Sequence, residues 1–496
     1  MDQFKFYNHL GFNNPYYILR DSSFRVCNSF KEAVDNYDNK KEIDYVSIVG
    51  LLNNSFIFGD RTMIQGIQRT PWLAQPDPTN SNWQFTAPPS HFKKEMLEED
   101  IAIVLFQRLC DEIEEYIDKK RNVGILLSGG MDSRMLAGAV DFMIKTKRIQ
   151  DIEVTGLTWG NEDSRDVVYA KEIASRLGWN WKHYSVNAKQ LMNNIYETAD
   201  HGCEYSPVHL HGIPQIRDDN RLNVILAASY GDSVGRAEYS GRKVTKLSSI
   251  NHSIKNISGL IDKNVFRSAL THINEDIRFY HNLFPVKENY MRNELDYELH
   301  YMRRMLNPCM ELLINNGTKF YQVFTHPKVY GFMWSIDPKK RNDMVYKYMM
   351  NEFKTNLSDI PWSRTGLPYG TNKGTPDSHT KKHHSYIEII NSDLFEELKK
   401  IIFAGNIAKL GIFNMSNIIL LMKLMSKYPI DNLFYCEKII WLASFSVFLE
   451  KFNLTIDKQT SNSGKLSSLL KPNNFSVVTD YMKNRSKYYI YNKLKS

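Results

Sequence analysis

The chain has 496 residues, of which 42% are apolar and 24% charged, and its formal net charge is +8. This composition excludes a disordered or fibrous protein, and the length allows two or three domains with a large core. The modest positive charge favours anionic ligands such as nucleotides. The five cysteines are scattered singly, which argues against a disulfide framework or a zinc knuckle and predicts a reducing, cytoplasmic compartment.

The N-terminal part of the chain alternates short apolar runs with turn residues. Strands are predicted at residues 16–19, 45–49 and 55–58. We therefore predict a small β-rich domain over residues 1–90. The sequence Thr86-Ala87-Pro88-Pro89-Ser90 marks its end, and an amphipathic helix is predicted over residues 93–120.

The most informative stretch is an apolar run that breaks at two glycines and passes directly into a helical pattern. Residues 123–127 predict a buried strand, and the apolar spacing over residues 135–140 predicts the helix. Between them lies Ser128-Gly129-Gly130-Met131-Asp132-Ser133. Glycines let the backbone approach a ligand, and the N–H groups at a helix start bind oxyanions. Glycines that serve only a tight turn are the alternative.

Further strands are predicted at residues 152–159, 181–186 and 223–229. Helices between such strands imply a parallel sheet, whose ligands bind at the carboxyl ends of the strands. The loop after Thr158 should then face the same crevice as Ser128. Asp132 and Asp232 each follow a predicted strand, and two acids at neighbouring strand ends predict a Mg²⁺ site.

The chain beyond residue 240 is predicted to be largely helical. Periodic stretches occupy residues 292–315, 327–335, 343–354, 385–403, 415–426 and 433–451. The run His379–His384 suggests metal ligands, but without carboxylate or cysteine partners it is better interpreted as a solvated loop. Residues 483–495 interleave bases with aromatics, as RNA-binding segments and basic peripheral helices both do.

The stretch Leu127–Ser133 resembles the pyrophosphate-binding loop of the N-type ATP pyrophosphatases, and specifically the synthetase domain of the asparagine synthetase family. It is not a Walker loop. The resemblance implies an α/β fold with two parts. Residues 1–90 would form a small, β-rich, degenerate amidotransferase-like domain of the Ntn type. Residues 91–496 would form the PP-loop synthetase domain, with a parallel-sheet core at about 120–240 and a mostly helical part over 241–496.

The resemblance also implies that ATP and Mg²⁺ are bound. The residues expected to contact ATP are Leu127, Ser128, Gly129, Gly130, Asp132, Ser133, Thr158 and Gly231. Asp132 and Asp232 are expected to bind Mg²⁺.

Three residues are candidates for a catalytic role. Tyr230 is similar to the tyrosine of a tyrosine-glycine pair in β-lactam synthetases, although a packing role is the alternative. The family usually carries a lysine near Thr365, and this chain does not. Arg364 is the first substitute and Lys373 the second, with a surface salt bridge as the alternative for Arg364.

The function implied is an ATP-dependent, AMP- and pyrophosphate-forming ligase that joins a small-molecule or peptide carboxylate to an amine. Glutamine-using relatives carry a nucleophilic cysteine as residue two, where this chain has Asp2, and its first cysteine is Cys27. We therefore expect the amine to be ammonia, an organic amine, or a group supplied by a partner protein. No membrane partner is expected, and a homodimer is compatible with the sequence. A nucleic-acid-modifying PP-loop enzyme and a non-catalytic ATP-binding regulator are the alternatives.

Overall fold

Two small antiparallel sheets form the N-terminal part of the structure, which is a computed structural model. The first contains β1 (Tyr16–Arg20), β2 (Ser23–Cys27) and β3 (Ile67–Arg69), with β1 in the middle. The second pairs β4 (Ala74–Pro76) with β5 (Trp83–Phe85). The residues described are 14–20, 23–77, 82–117, 121–219, 221–236, 250, 254–303, 311–313, 318–371, 373–430, 432–455 and 474–493.

A larger sheet of parallel strands follows. Its members are β6 (Asn122–Leu126), β7 (Glu153–Trp159), β8 (Asn180–Tyr184), β9 (Val224–Ala227) and β10 (Lys319–Gln322). They are arranged in the order β10-β9-β6-β7-β8, and every neighbouring pair is parallel. Because β6 and β9 are adjacent, the loops that follow them emerge side by side at one edge of the sheet. The predicted α/β class with a parallel sheet is confirmed.

Helices cover both the segments between these strands and most of the chain after them. They are α1 (Phe30–Asp35), α2 (Tyr45–Asn54), α3 (Glu98–Ile117), α4 (Met131–Lys145), α5 (Arg165–Leu177), α6 (Ala188–Asp200), α7 (Ile213–Arg217), α8 (Lys263–Leu283), α9 (Asn289–Asp296), α10 (Pro327–Ser335), α11 (Asp343–Met349), α12 (Tyr386–Glu388), α13 (Phe395–Ala404), α14 (Met415–Lys427), α15 (Leu433–Phe452) and α16 (Asn474–Lys493). None of the helices in the described ranges combines the length and the hydropathy that a bilayer crossing needs.

Two of the predicted N-terminal strands are wrong. Residues 45–49 belong to helix α2, which begins after Asp44, whose side chain accepts hydrogen bonds from the backbone N–H groups of Val46 and Ser47. This capping by aspartate outweighs the strand preference of the β-branched residues. Residues 55–58 form no strand; Ser55 instead ends α2 in the left-handed conformation, with φ of 65°.

Several elements were not predicted, and two of them matter for the core. Strand β10 adds a fifth member to the parallel sheet, and helix α8 packs against α2. The predicted helix at 292–315 holds only in part: α9 ends at Asp296, a π-helical turn covers Tyr297–Tyr301, and residues 304–310 and 314–315 lie outside the described residues. The predicted helices at 327–335, 415–426 and 433–451 are present. The predicted helix at 343–354 is α11 followed by a 3-10 turn, and that at 385–403 is divided into α12, a π-helical turn and α13.

The buried apolar residues form two large clusters. One surrounds the parallel sheet on the side of α3, α4 and α11. The other joins the N-terminal sheet and α2 to the helices of the C-terminal half, including α8, α14 and α15. The N-terminal segment therefore shares a core with elements several hundred residues away, and the boundary at residue 90 stays a prediction.

Candidate active site

A cavity of about 240 Å³ lies at the carboxyl ends of β6, β7 and β9. Six residues predicted to bind ATP or Mg²⁺ line it, namely Leu127, Ser128, Gly130, Asp132, Ser133 and Asp232. Trp159, Ser229 and His383 complete its wall together with small apolar residues. The structure thus brings the two predicted acids and both serines of the loop to one place.

The loop between β6 and α4 is held in shape by its serines. The Ser133 hydroxyl accepts from the Ser128 backbone N–H at 3.2 Å, and the two hydroxyl oxygens are 3.1 Å apart. The Ser128 hydroxyl also accepts from the Gly130 N–H at 3.1 Å. Gly130 is the N-cap of α4 and has no side chain that could cap the helix. The start of this 15-residue helix, which carries a partial positive charge, therefore faces the cavity directly.

Gly129 does not line the cavity but packs closely against neighbouring segments, and a contact of Gly129 with ATP stays a prediction. A Cβ atom at this position would lie 2.8 Å from the Arg165 carbonyl oxygen and 3.0 Å from the Cβ of Ser363. Its N–H donates to the Asp166 carbonyl at 2.9 Å, and its carbonyl accepts from the Ser363 N–H at 3.2 Å. For this glycine the tight-turn alternative describes the observed contacts.

Arg134 fastens the same loop to residues 357–361. The side chain is fully buried and donates to the carbonyl oxygens of Gly129, Leu357, Ile360 and Pro361 at 2.7 to 3.3 Å. Burial lowers the pKa of the Arg134 guanidinium to about 10, with the nearby Glu172 acting in the opposite direction. The loop position is therefore set by a cation that contacts backbone dipoles.

Asp132 and the backbone of Gly231 are in direct contact. A Cβ atom added to Gly231 would lie 2.6 Å from the Asp132 Cβ and 2.8 Å from its Cγ. Gly231 begins a π-helical turn that ends at Gly235, and the Tyr346 hydroxyl donates to the Gly231 carbonyl at 2.9 Å. Within this turn, Asp232 accepts from the Ser233 N–H at 2.8 Å. Gly231 does not itself line the cavity, but its lack of a side chain makes room for Asp132 against the start of this turn.

Arg236 forms an ion pair with Asp132 that the sequence patterns did not predict. Its Nε and Nη2 donate to the two carboxylate oxygens of Asp132 at 3.3 Å each, and Nη1 donates to Asp343 at 3.2 Å. The Arg236 side chain is 3% exposed. Burial opposes its charge, but the interaction with Asp132 and with other nearby groups raises the pKa of Arg236 well above the usual value. Asp132 therefore already has a cationic partner.

Tyr230 lies in the core and not in the cavity wall. It is fully buried, and its hydroxyl is 3.5 Å from the Glu298 carbonyl oxygen, to which it donates. Burial raises the pKa of Tyr230 well above 10, and the proximity of Glu298 acts in the same direction. This placement matches the packing alternative, and a catalytic role for Tyr230 stays a prediction.

Thr158 is also buried behind the cavity wall. Its hydroxyl donates to the Leu127 carbonyl at 2.9 Å and accepts from the Trp181 indole N–H at 3.1 Å. The first interaction holds β7 against the end of β6, and the second holds it against β8. Trp159, the next residue, is the one that lines the cavity.

The two candidates for the missing lysine lie outside the cavity wall. Arg364 and Lys373 are both exposed. The Arg364 guanidinium lies 4.5 Å from the centre of the Trp362 ring, and Arg236 lies 5.7 Å from the same ring. Both the predicted cation and the one that contacts Asp132 therefore lie near the Trp362 ring. For both candidates a catalytic role stays a prediction.

The interpretation of His379–His384 as a solvated loop holds for its first residues but is wrong for the last two. His379, Lys381 and Lys382 are exposed, whereas His383 lines the cavity. His384 stacks on Tyr386 with 4.4 Å between ring centres, and both belong to a column of rings that continues through His211 to Trp159. Burial lowers the pKa of His383 and of His384, so these rings are neutral.

Asp132 and Asp232 fit a Mg²⁺ ion that keeps much of its hydration shell. Carboxylate oxygens are its preferred protein ligands, and it is typically held by one or two carboxylates together with substrate phosphates. Within the described residues no group of three or more potential metal ligands is present. The residue set therefore fits a cation bound jointly with phosphate.

Comparison with known proteins supports the interpretation of this segment. Residues 107–215 match the family model of asparagine synthase. The U34-tRNA thiolase NcsA from Methanococcus maripaludis, solved with its 4Fe-4S cluster, is 13% identical over 44% of this chain and 79% of its own, with a TM-score of 0.23. At that TM-score the likeness carries no argument about this chain. No curated protein matches the chain.

The matched residues include the whole loop from Ser128 to Ser133 and the strands β6, β7 and β8. The family model therefore covers the stretch Leu127–Ser133, whereas Tyr230, Asp232 and Arg364 lie beyond the matched residues. The match shows that this segment of the chain is similar to asparagine synthase.

Proposed function

We propose that this chain is an amide ligase that consumes ATP, forms AMP and pyrophosphate, and does not use glutamine. The observation that carries the proposal is the convergence of Ser128, Ser133, Asp132 and Asp232 on one cavity at the carboxyl ends of parallel strands. The similarity of residues 107–215 to asparagine synthase supports a ligase-type enzyme. The substrates would be a small-molecule or peptide carboxylate and an amine.

Each part of the cavity has a distinct task in this proposal. The hydroxyls of Ser128 and Ser133 and the start of α4 would hold the pyrophosphate portion of ATP. Asp132 and Asp232 would hold Mg²⁺, which supplies positive charge near the phosphates. Arg236 would share in neutralising the leaving group, because it is a buried cation already in contact with Asp132.

The proposed reaction has two steps that balance without any oxidant or reductant. First, a carboxylate oxygen of the acid bonds to the α-phosphorus of ATP while the bond to the β-phosphate oxygen breaks, so pyrophosphate leaves and an acyl-adenylate remains. Second, the amine nitrogen attacks the acyl carbon, AMP leaves, and the nitrogen loses one proton. Catalysis rests mainly on positioning and on electrostatic stabilisation of the leaving group.

Independence from glutamine is supported by the state of the cysteines. Cys27, Cys110, Cys203 and Cys436 are all buried. Burial raises the pKa of Cys110 and of Cys436 to about 12, and it raises the pKa of Cys203 as well. A thiol must be ionised to act as a nucleophile, so these residues are unsuited to glutamine hydrolysis. Asp2 and Cys309 lie outside the described residues.

Exchange of labelled pyrophosphate into ATP tests the first step without knowledge of the amine. The protein is incubated with ATP, Mg²⁺, labelled pyrophosphate and pools of carboxylic acids. We expect acid-dependent exchange that falls at least about 100-fold in Asp132→Asn, which is the loss expected when a transition-state contact is removed. Asp151→Asn is the matched control, because Asp151 is exposed and its φ of 54° suits asparagine equally well.

The outcomes separate the alternatives. Equal exchange by the wild type and Asp132→Asn would exclude this site as the seat of adenylation. Tight ATP retention without any exchange would identify a regulator, and exchange that requires added tRNA would identify a nucleic-acid-modifying enzyme. Hydroxylamine added to an active acid pool should trap the acyl-adenylate as a hydroxamate, which identifies the acid.

A further inference from the structure

A second, larger cleft lies in the N-terminal part of the molecule. It has a volume of about 820 Å³ and shares no lining residue with the cavity beside Asp132. Its wall contains residues of β1, β2 and β5, together with Asp60 and Phe279 of α8. The proposed ligase chemistry assigns no task to this cleft.

The wall of this cleft is dominated by aromatic rings. Tyr17, Phe24 and Trp83 form a cluster with ring centres 4.8 to 5.4 Å apart. Phe279 is 49% exposed and Leu19 is 57% exposed, and both line the cleft. Exposed apolar side chains around an aromatic cluster are suited to contact with an apolar ligand body, and aromatic rings also attract cations.

Asp60 is the carboxylate of the cleft, and it has no ion-pair partner among the residues that the structure describes. Its Oδ1 accepts from the Tyr280 hydroxyl at 2.5 Å. The adjacent Arg61 is engaged elsewhere, since it pairs with Asp44 at 2.9 Å and with Asp276 at 2.6 Å. Removing a carboxylate from water without pairing it with a cation costs free energy. A cationic ligand would therefore bind favourably beside Asp60.

The raised pKa of Asp60 agrees with its lack of an ion-pair partner among the described residues. Burial raises the pKa of Asp60 to about 7, while the hydrogen bond from Tyr280 and the charge of Arg303 lower it and Asp276 raises it. Burial raises the pKa of Tyr17 and of Tyr280 and lowers that of Arg303, and the charge of Asp60 acts to raise the pKa of all three. Arg303 does not neutralise Asp60 directly, because its guanidinium donates to the carbonyls of Gly59 and Arg61 and to Glu204.

We propose that this cleft binds a primary ammonium group carried on an apolar or aromatic body, with Asp60 pairing with the ammonium and the rings of Tyr17, Phe24 and Trp83 contacting the body. Both a free organic amine and a lysine side chain of a peptide have this chemistry. The inference does not rest on the proposed ligase activity, because the two clefts are lined by different residues.

Calorimetric titration of the full chain with matched probes tests the proposal. The probes are phenethylamine, the uncharged 2-phenylethanol and the anionic 3-phenylpropanoate, with Nα-acetyl-lysine methylamide as the peptide-like amine. We expect phenethylamine to bind at least about 10-fold more tightly than the alcohol, which corresponds to one charge-assisted contact. Asp60→Asn should remove this preference while leaving the affinity for the alcohol unchanged.

Two controls keep the test specific. Asp276→Asn removes a nearby carboxylate that does not line the cleft and should preserve the preference for phenethylamine. Asp132→Asn should also preserve it, so that failure of the ligase proposal and failure of this one can be told apart. Phe279→Ala, at an exposed position that folding tolerates, should weaken both phenethylamine and the alcohol.

Three results would overturn the proposal: no probe binds, the ammonium and the alcohol bind equally, or Asp60→Asn keeps the preference. The relative affinities of phenethylamine and the lysine derivative then decide between a free amine and a peptide side chain. A thermal melt of each variant verifies that it is folded before titration.

Discussion

The position of Asp132 depends on a missing side chain at Gly231. A Cβ atom there would approach the Asp132 Cβ to 2.6 Å, a distance that requires the carboxylate or the turn to move. Catalytic groups must be held to well within 1 Å of the productive geometry. A single methyl group is therefore expected to displace the carboxylate that is proposed to hold Mg²⁺, while the rest of the fold is retained.

We accordingly predict that Gly231→Ala lowers pyrophosphate exchange at least about 100-fold. Gly178→Ala is the control: Gly178 ends α5 with φ of 70° and has no atom within 4 Å of the added Cβ. That substitution should cost about 1 kcal/mol of stability through left-handed strain and leave exchange unchanged. Exchange rates and thermal melts of both variants check the prediction, which fails if Gly231→Ala remains fully active.

Asp60 gives a prediction about stability and pH. Its pKa is raised from the ordinary 3.8 to about 7 by burial, the largest cause. The folded state therefore holds this proton more tightly than the unfolded state does, and the associated stability is complete below about pH 4 and lost as the pH rises through about 7. The asparagine in Asp60→Asn is neutral at every pH, so this variant does not lose stability in this way as the pH rises.

The free energy of unfolding of Asp60→Asn, relative to the wild type, should consequently rise between about pH 5 and about pH 8. Urea unfolding at both pH values, with Asp151→Asn as a variant that should show no such change, measures the difference. A pH-independent difference for Asp60→Asn would show that Asp60 titrates normally.

At the scale of elements, the loop that precedes α4 is fastened to residues 357–361 by Arg134. This one side chain satisfies four backbone carbonyls from two distant parts of the chain. Buried carbonyl groups that lose their hydrogen-bond donor lower the stability of the folded state. Removal of a buried cation offsets part of this loss, because the charge no longer has to be taken out of water. Arg134 thus links the start of α4 to the segment that contains Trp362 and Ser363.

We predict that Arg134→Met lowers the free energy of unfolding by about 2 to 3 kcal/mol. Arg176→Met is the matched control, because Arg176 is 31% exposed and its ion pairs with Glu172 and Asp359 lie at the surface. It should change stability by less than about 1 kcal/mol. Urea denaturation of both variants gives the comparison, and equal effects would contradict a special role for the buried arginine.

At the scale of the whole molecule, the N-terminal sheet is bound to the rest of the chain by charge as well as by apolar packing. Arg69 on β3 pairs with Glu204 and with Glu311 at 3.1 Å each, and the Arg69 side chain is 4% exposed. Arg303 also contacts Glu204, at 3.3 Å. With the shared apolar cluster, these contacts predict that residues before and after position 90 unfold together.

Arg69→Met should leave Glu204 and Glu311 buried with less charge compensation and lower stability by about 3 to 5 kcal/mol. Calorimetry should show one unfolding transition in the wild type. Lys31→Met is the control, since the Lys31–Asp35 pair is exposed and should contribute less than about 1 kcal/mol. Two separate transitions in the wild type would show that residues 1–90 fold independently.

The sequence by itself determined those local features that are encoded by residues next to one another in the chain. The apolar run before Ser128, the glycine pair and the helical spacing after it predicted β6, the loop and α4, because backbone conformation there follows from neighbouring residues. The apolar helix predicted over residues 433–451 is present as α15 for the same reason. The predicted strand at 45–49 was wrong because a single capping aspartate decided between helix and strand.

Only the tertiary structure decided which side chains meet. Arg236 contacts Asp132 across 104 positions of sequence, and His383 reaches the cavity from a lysine-rich loop. No local pattern encodes these contacts, because they arise from the packing of separate elements against the edge of the sheet. The same packing buries Tyr230 and Thr158 away from the cavity and places Trp159 in its wall, since neighbouring residues on or beside a strand point to opposite faces.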